Sequence, residues 1–252
     1  MPVKLLLGDC LDIMPTLDAQ SFDAIIADIP YGTTTCKWDV VIPFAPMWEN
    51  LKRLAKPKAA IVLFGSQPFT SALVMSNVKM FRYEWIWDKV NRVVGYGNAN
   101  KCPLKRHDNL IVFSTNGNNY NPQMVDGLPY ITSARKGTTH RHLGKNGLHP
   151  QRTISNGKRY PQDILQIKAD IKTEMGLHPT QKPVALLEYL VRTYTNEGDT
   201  VLDFTAGSGT LGVACVNTNR NAVLIEKDAG YFEIMQRRIA DAQAQMTMDL
   251  TQ

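Results

Sequence analysis

The sequence predicts an α/β fold: a mostly parallel sheet covered by helices on both faces. Short apolar runs, each ended by turn residues, recur along the chain. Amphipathic stretches of helical length lie between several of them. With 252 residues, 44% hydrophobic and 20% charged, the chain is long enough and ordinary enough in composition for one sizeable core.

The strands are expected at Val3–Leu7, Phe22–Ala27, Ala59–Phe64, Phe81–Trp87 and Leu110–Phe113 in the first half, and at Thr200–Asp203 and Ala222–Ile225 near the end. Their terminators are Gly8-Asp9, Asp28, Gly65, Asp88-Lys89, Ser114, Phe204 and Glu226. Helices are expected over Phe44–Leu54, Pro68–Asn77, Val184–Thr195, Thr210–Asn217 and Ala229–Ala244. In the third of these, Val184, Leu187, Leu190, Val191 and Tyr194 share one face, and Pro183 suits its first turn. Trp85 and Trp87 alternate along one strand and so face the same side; core packing is the expected role, with a wall of a binding pocket as the alternative.

The stretch 115–176 has a different character. It is rich in Asn, Gly, Thr, Lys and Arg and carries little apolar periodicity. From Tyr130 to Lys172 nine basic residues stand against Asp163 and Asp170, which more than accounts for the net charge of +5. A solvated loop fits this composition. So does a nucleic-acid contact segment, in which Lys and Arg reach phosphates. Arg135, Lys136, Arg141 and Lys145 are the candidate DNA-binding residues. The chain thus divides into 1–114, an inserted segment 115–176, and 177–252. Lys105-Arg106-His107-Asp108 reads either as a phosphate contact or as a solvated turn.

The four cysteines form no C-x-x-C pair, so neither zinc nor redox chemistry is expected, and reduced thiols suit a cytoplasmic protein. The apolar start is too short for a signal peptide, and no run approaches the roughly 20 residues of a membrane span.

Two turns carry chemistry. Phe204-Thr205-Ala206-Gly207-Ser208-Gly209-Thr210 joins a strand ending at Asp203 to a helix. Glycine there lets the backbone approach a ligand closely, and the helix N-terminus offers free N–H donors. Glu226 ends the next strand, nineteen positions after Gly207, where an acid accepts hydrogen bonds from ribose hydroxyls in nucleotide-binding folds. The full G-x-G-x-x-G and phosphate-loop patterns are absent, which disfavours diphosphate cofactors. A nucleoside with an amino-acid tail fits better. The other turn, Asp28-Ile29-Pro30-Tyr31, puts a carboxylate, a constrained backbone and an aromatic ring at a strand end. Such a turn suits the amino group of a flat heterocycle.

These motifs resemble those of the β class of S-adenosylmethionine-dependent DNA amino-methyltransferases. Asp28-Ile29-Pro30-Tyr31 is similar to the family's [D/N/S]-P-P-[Y/F/W], and Phe204–Gly209 to its F-x-G-x-G. The segment 178–183 resembles H-P-T-[Q/E]-K-P, and Gly8-Asp9 the N-terminal G-D element. The catalytic motif precedes the cofactor motif, as in the permuted β class, and the likeness covers nearly the whole chain outside 115–176. It implies a Rossmann-like class I methyltransferase fold with circularly permuted motif order. It implies Asp28, Ile29, Pro30 and Tyr31 as catalytic residues. It implies S-adenosylmethionine held by Asp9, Asp28, Thr180, Lys182, Asp203, Phe204, Ala206, Gly207, Ser208, Gly209, Thr210 and Glu226. No metal is implied. Double-stranded DNA is the implied partner, and a homodimer is allowed because the class often dimerises.

The chemistry fits these residue types. The lone pair of an exocyclic amine is delocalised into the ring. The Asp28 carboxylate and the Ile29 carbonyl would hold both N–H hydrogens and stabilise charge growing on nitrogen. Tyr31 would stack on the base, which must be extruded from the duplex. The departure is Ile29, where the family usually has proline; the carbonyl remains, but a fixed dihedral is lost. An acidic first residue points to adenine N6, with cytosine N4 as the alternative. Cytosine C5 chemistry needs a Pro-Cys nucleophile, and this chain has Cys102-Pro103 reversed. Three further readings stay open: a protein or RNA amine methyltransferase, a catalytically silent DNA- or cofactor-binding subunit, and a plain nucleic-acid-binding protein. A role in restriction-modification is part of the expectation.

Overall fold

The structure is a computed structural model and describes residues 2–33, 36, 39–132, 154–170 and 181–249. In chain order the elements are β1 (Val3–Leu7), α1 (Cys10–Ile13), β2 (Phe22–Ala27), α2 (Phe44–Leu54), β3 (Ala55–Gly65), α3 (Phe69–Ser76), β4 (Phe81–Asp88) and β5 (His107–Phe113). Four short strands follow: β6 (Val125–Asp126), β7 (Tyr130–Ile131), β8 (Ile154–Ser155) and β9 (Lys158–Arg159). Then come β10 (Ile164–Gln166), α4 (Val184–Tyr194), β11 (Thr200–Asp203), α5 (Thr210–Asn217), β12 (Asn221–Glu226) and α6 (Ala229–Asp249).

Eight strands form one sheet in the order β1-β12-β11-β2-β3-β5-β4-β10. All neighbours are parallel except β5, which runs antiparallel to both β3 and β4. Alternating side chains feed two cores. Ala24, Ile26, Val62, Phe64, Leu110, Val201 and Leu224 face α4, α5 and α6. Ile25, Ala27, Ile61, Leu63, Ile111, Leu202 and Ile225 face α1, α2 and α3. A strand segment covered on both faces has no solvent side, which is why 24–27 of β2, 59–64 of β3 and 110–113 of β5 read as continuous apolar runs.

Each expected strand and helix is present. Helix α4 buries Leu186, Leu187, Leu190, Val191, Thr193 and Tyr194, while Val184 is half-buried at its start. Helix α6 runs past the expected end to Asp249. Trp85 and Trp87 are core residues, 3% and 2% exposed; their indole N–H groups donate to the Tyr194 hydroxyl (2.7 Å) and the Ile167 carbonyl (2.8 Å).

The chain separates into two compact units, Met1–Asn121 with Asp163–Gln252, and Pro122–Gln162. The first holds the eight-stranded sheet. The described part of the second consists of two antiparallel strand pairs, β6 with β9 and β7 with β8, and a Lys158–Asp126 ion pair.

The order of the strands fixes where a ligand can sit. After β11 the chain crosses through α5 to β12 on one side; after β2 it crosses through α2 to β3 on the other. Strand order therefore reverses between β11 and β2, and the crevice outside their carboxyl ends is the position where open α/β sheets take ligands.

Candidate active site

The two sequence motifs meet at that reversal point. Asp28 leaves the end of β2, and Phe204 leaves the end of β11. The Thr205 hydroxyl donates to the Asp28 carbonyl at 3.2 Å, bridging 177 residues of sequence. The nucleotide-type cradle and the acidic-aromatic turn are thus walls of one crevice.

The turn is tightly held. The Tyr31 hydroxyl donates to Asp28 Oδ1 at 2.7 Å, and the Lys182 ammonium pairs with Asp28 Oδ2. Each carboxylate oxygen offers two lone pairs, so both retain capacity for a further donor. Burial, then the Asp28 charge, raises the Tyr31 hydroxyl well above its ordinary pKa, so it stays a neutral donor. The Tyr31 ring stacks on Phe69, with centroids 5.2 Å apart. Its backbone is clamped from eight residues downstream. Asp39 Oδ1 accepts the N–H groups of Tyr31 and Gly32, both at 2.8 Å, and Oδ2 accepts that of Thr33 at 2.9 Å. Gly32 has φ +68°, a left-handed value that glycine adopts without strain.

Ile29 explains how the turn manages without a second proline. Its side chain is 2% exposed and packs in the core between the sheet and α1–α3. Burying an isoleucine is worth about 2 kcal/mol. Packing on one side and the Asp39 clamp on the other replace the rigidity of a fixed dihedral.

The cradle pairs carboxylates with a glycine turn. Glu226 Oε2 accepts Gly207 N–H at 2.7 Å, and Oε1 accepts Asp228 N–H at 2.8 Å. Burial raises the Glu226 pKa. Asp203 accepts Thr205 N–H at 3.0 Å; burial, abetted by the Asp28 and Glu226 charges, pushes it up to about 8. Gly207 has φ +53° and Gly209 φ +77°. A side-chain carbon on Gly209 would lie 2.5 Å from Met235 Cγ, whereas one on Gly207 would meet nothing within 4 Å. Gly209 is needed for packing; Gly207 opens onto free space.

The remaining expected residues divide. Phe204 (1% exposed) and Ala206 are core residues that shape the loop from beneath. The Ser208 hydroxyl donates to Gln181 Oε1 at 3.0 Å. Arg238 of α6 donates to the Ser208 carbonyl (2.7 Å), its hydroxyl (2.9 Å) and the Thr210 hydroxyl (3.1 Å). Asp9 caps α1 through Leu11 N–H (2.9 Å) and pairs with Lys227 (3.0 Å). The Leu11 N–H, more than Lys227, holds its carboxyl below the usual range. Thr180, Arg135, Lys136, Arg141 and Lys145 lie outside the described residues. Asp39 and Arg238 were missed by sequence reasoning, since each acts through a contact that no local pattern marks; Gln181 fell within the 178–183 motif but was not among the expected cofactor residues.

The crevice suits an S-adenosylmethionine-like ligand on its own chemistry. A buried carboxylate, Asp203, and a half-buried one, Glu226, both with raised pKa values, favour a neighbouring cation and hydroxyls. Gln181 Nε2 is a buried donor with no partner among the described residues. The open space at Gly207 admits a ligand against bare backbone. Among the described residues no group of His, Cys, Asp and Glu is arranged to hold a metal, and no helix is long and apolar enough to cross a membrane.

Comparison with known proteins agrees with this geometry. Residues 22–237 match the N6_N4_Mtase family, described as DNA methylase. The chain belongs to this family of amino-directed DNA methyltransferases, which covers both N6-adenine and N4-cytosine enzymes. It is 26% identical to the Type II methyltransferase M.HpaI of Haemophilus parainfluenzae, over 95% of this chain and 74% of that protein. It is 24% identical to the DNA adenine methyltransferase YhdJ of Escherichia coli (strain K12), over 92% and 81%. In fold it resembles the PvuII DNA methyltransferase (cytosine-N4-specific), with TM-score 0.70 and 15% identity over 98% of this chain and 93% of that one. It also resembles the M1.HpyAVI–SAM complex, with TM-score 0.61 and 23% identity over 94% and 98%.

Proposed function

We propose that this chain transfers the methyl group of S-adenosylmethionine to the exocyclic N6 amine of an adenine extruded from double-stranded DNA. The observation that carries the reading is the Thr205–Asp28 hydrogen bond, which makes donor cradle and amine grip one crevice.

S-adenosylmethionine supplies a methyl group activated by a sulfonium. The chain's residues do the rest by positioning. Gly207, Ser208 and Glu226 would hold the nucleoside, with Asp203 and Gln181 beside them. Glu226 already accepts one backbone N–H on each oxygen and can accept ribose hydroxyls through its remaining lone pairs. Asp28 and the Ile29 carbonyl would take the two amine hydrogens. This turns the nitrogen lone pair toward the methyl and stabilises the positive charge that develops. Tyr31, backed by Phe69, would stack on the base, a contact worth about 1–3 kcal/mol against an unpairing cost of a few kcal/mol. Arg135, Lys136, Arg141 and Lys145 would contact DNA phosphates. The acid at position 28, and the kinship with a protein named a DNA adenine methyltransferase, favour adenine over cytosine.

The test is methyl transfer from tritiated donor to mixed-sequence duplex DNA, followed by nucleoside analysis. N6-methyladenine is expected. N4-methylcytosine would overturn the choice of base, and no incorporation would overturn the activity.

A further inference from the structure

The carboxyl edge of the sheet continues beyond the catalytic turn into a second group of charges that methyl transfer does not use. Asp108 lies near the start of β5, between β3 and β4, opposite Trp87 in register; two residues on, Leu110 lies opposite Phe64. Phe64, Trp87 and Leu110 face the same core, and strand alternation puts Asp108 on that face. The Lys182 ammonium sits 5.1 Å over the Phe64 ring and the Lys89 ammonium 5.3 Å over the Trp87 ring. Asp108 bonds Lys89 at 2.9 Å and Lys105 at 3.2 Å, and Lys105 also bonds the Ser66 hydroxyl just beyond β3.

Charge balance separates the two lysines. Asp108 and Lys89 have side chains only 10% and 12% exposed, so they neutralise each other as a buried pair. Burial works against the Asp108 carboxylate, yet the ammoniums of Lys182, Lys89 and Lys105 together hold its pKa low. Asp28 is matched by Lys182. Among the described residues, Lys105 is the one of these three lysines that shares a carboxylate already matched by another. Its side chain is 31% exposed, and Asp108 and Ser66 aim it from two sides. A preorganised, partly exposed ammonium that shares its carboxylate, on the edge that carries the base grip, is matched to a single anionic oxygen.

We propose that Lys105, aimed by Asp108 and Ser66, receives a phosphodiester flanking the extruded nucleotide, with Lys89 as the buried charge behind it. This rests on the reading that the chain extrudes a base. An extruded nucleotide carries its sugar-phosphate at the mouth of the pocket. A lysine there binds it as a point charge, without sequence preference.

The test is the salt dependence of kcat/KM for methyl transfer to duplex DNA, on the full chain. Losing one phosphate contact should make the slope of log kcat/KM against log salt shallower by about 0.9. Lys105→Gln is expected to show this change, and Lys105→Arg is expected to keep the wild-type slope. Donor affinity should stay constant in both. An unchanged slope in Lys105→Gln overturns the proposal. So does an equal loss of donor affinity, which would put Lys105 on the cofactor side. A second arm needs no variant. Once the methylated base is mapped, neutral methylphosphonates replace its flanking phosphates on wild-type protein. One of the two should reproduce the shallower slope and add nothing further in Lys105→Gln. If neither does, the proposal falls. Wild-type protein that transfers no methyl group at all overturns the parent reading instead, and this shows before any variant is made.

Discussion

Removing the Asp39 carboxylate tests how the acidic-aromatic turn keeps its shape. Asp39 is 8% exposed and accepts three successive backbone N–H groups at 2.8, 2.8 and 2.9 Å. A hydrogen bond to a charged group contributes about 1.5–3 kcal/mol. Gly32 and Thr33 are exposed, so in Asp39→Ala water replaces the carboxylate at those two amides. The half-buried Tyr31 amide bears most of the loss, which sets the cost at about 2–3 kcal/mol. For a chain of this length each kcal/mol shifts Tm by about 2–4 °C, so a fall of about 4–12 °C is expected. If the clamp serves to hold the grip in place, the same free energy appears in turnover as a loss of roughly 30- to 150-fold in kcat. Donor affinity should be unchanged, because the three N–H groups that the Asp39 carboxylate accepts all lie on the turn. Asp39→Asn keeps one carbonyl acceptor and should fall between wild type and Asp39→Ala. Thermal melts, tritium transfer and donor titration measure the three quantities. A lowered Tm with full kcat would refute the positioning argument and leave Asp39 as a stabilising residue alone.

Three further outcomes are expected. Gly207→Ala and Gly209→Ala should part ways: the first should lower donor affinity with a Tm change of only a few degrees, since only the left-handed backbone cost of about 1–2 kcal/mol applies. The second adds a clash with Met235 and should lower Tm further; equal melts would refute the packing argument. Asp28→Ala should reduce transfer by roughly 10²–10³-fold while donor binding is partly retained, and retained turnover would remove Asp28 from the grip. Asp203 is held up to about 8, above its ordinary value of 3.8. Its proton therefore favours the folded state below about pH 4, and that contribution is lost as pH rises through 8. Urea midpoints should fall between pH 5 and 9 more steeply in wild type than in Asp203→Asn, and parallel curves would refute this assignment.

The architecture was legible because its signal is local. Strands such as Phe22–Ala27, apolar but for Asp23, and Ala59–Phe64, apolar throughout, are covered on both faces, and turn residues end them. β10 escaped notice because it has three residues and buries only Leu165; it becomes a strand by pairing with β4. Lys105-Arg106-His107-Asp108 read as a solvated turn or a phosphate contact. Within that stretch the structure separates a buried Asp108, bonded to Lys89 and Lys105, from an exposed Arg106 paired with Asp88.

Residue order alone determined the α/β class, the positions of the two chemical turns and their permuted order, because propensity, apolar runs and glycine placement act within a few residues. It also marked Ile29 as a departure without saying what would offset it. Tertiary structure decided the rest: the side of the sheet on which β2 and β11 meet, the burial of Ile29, and the Asp39 clamp. It also brought Gln181 and Arg238 to the glycine turn and Lys182 to Asp28. Such contacts depend on strand order and helix packing, and their hydrogen bonds and charges act over a few ångströms of space whatever the separation along the chain.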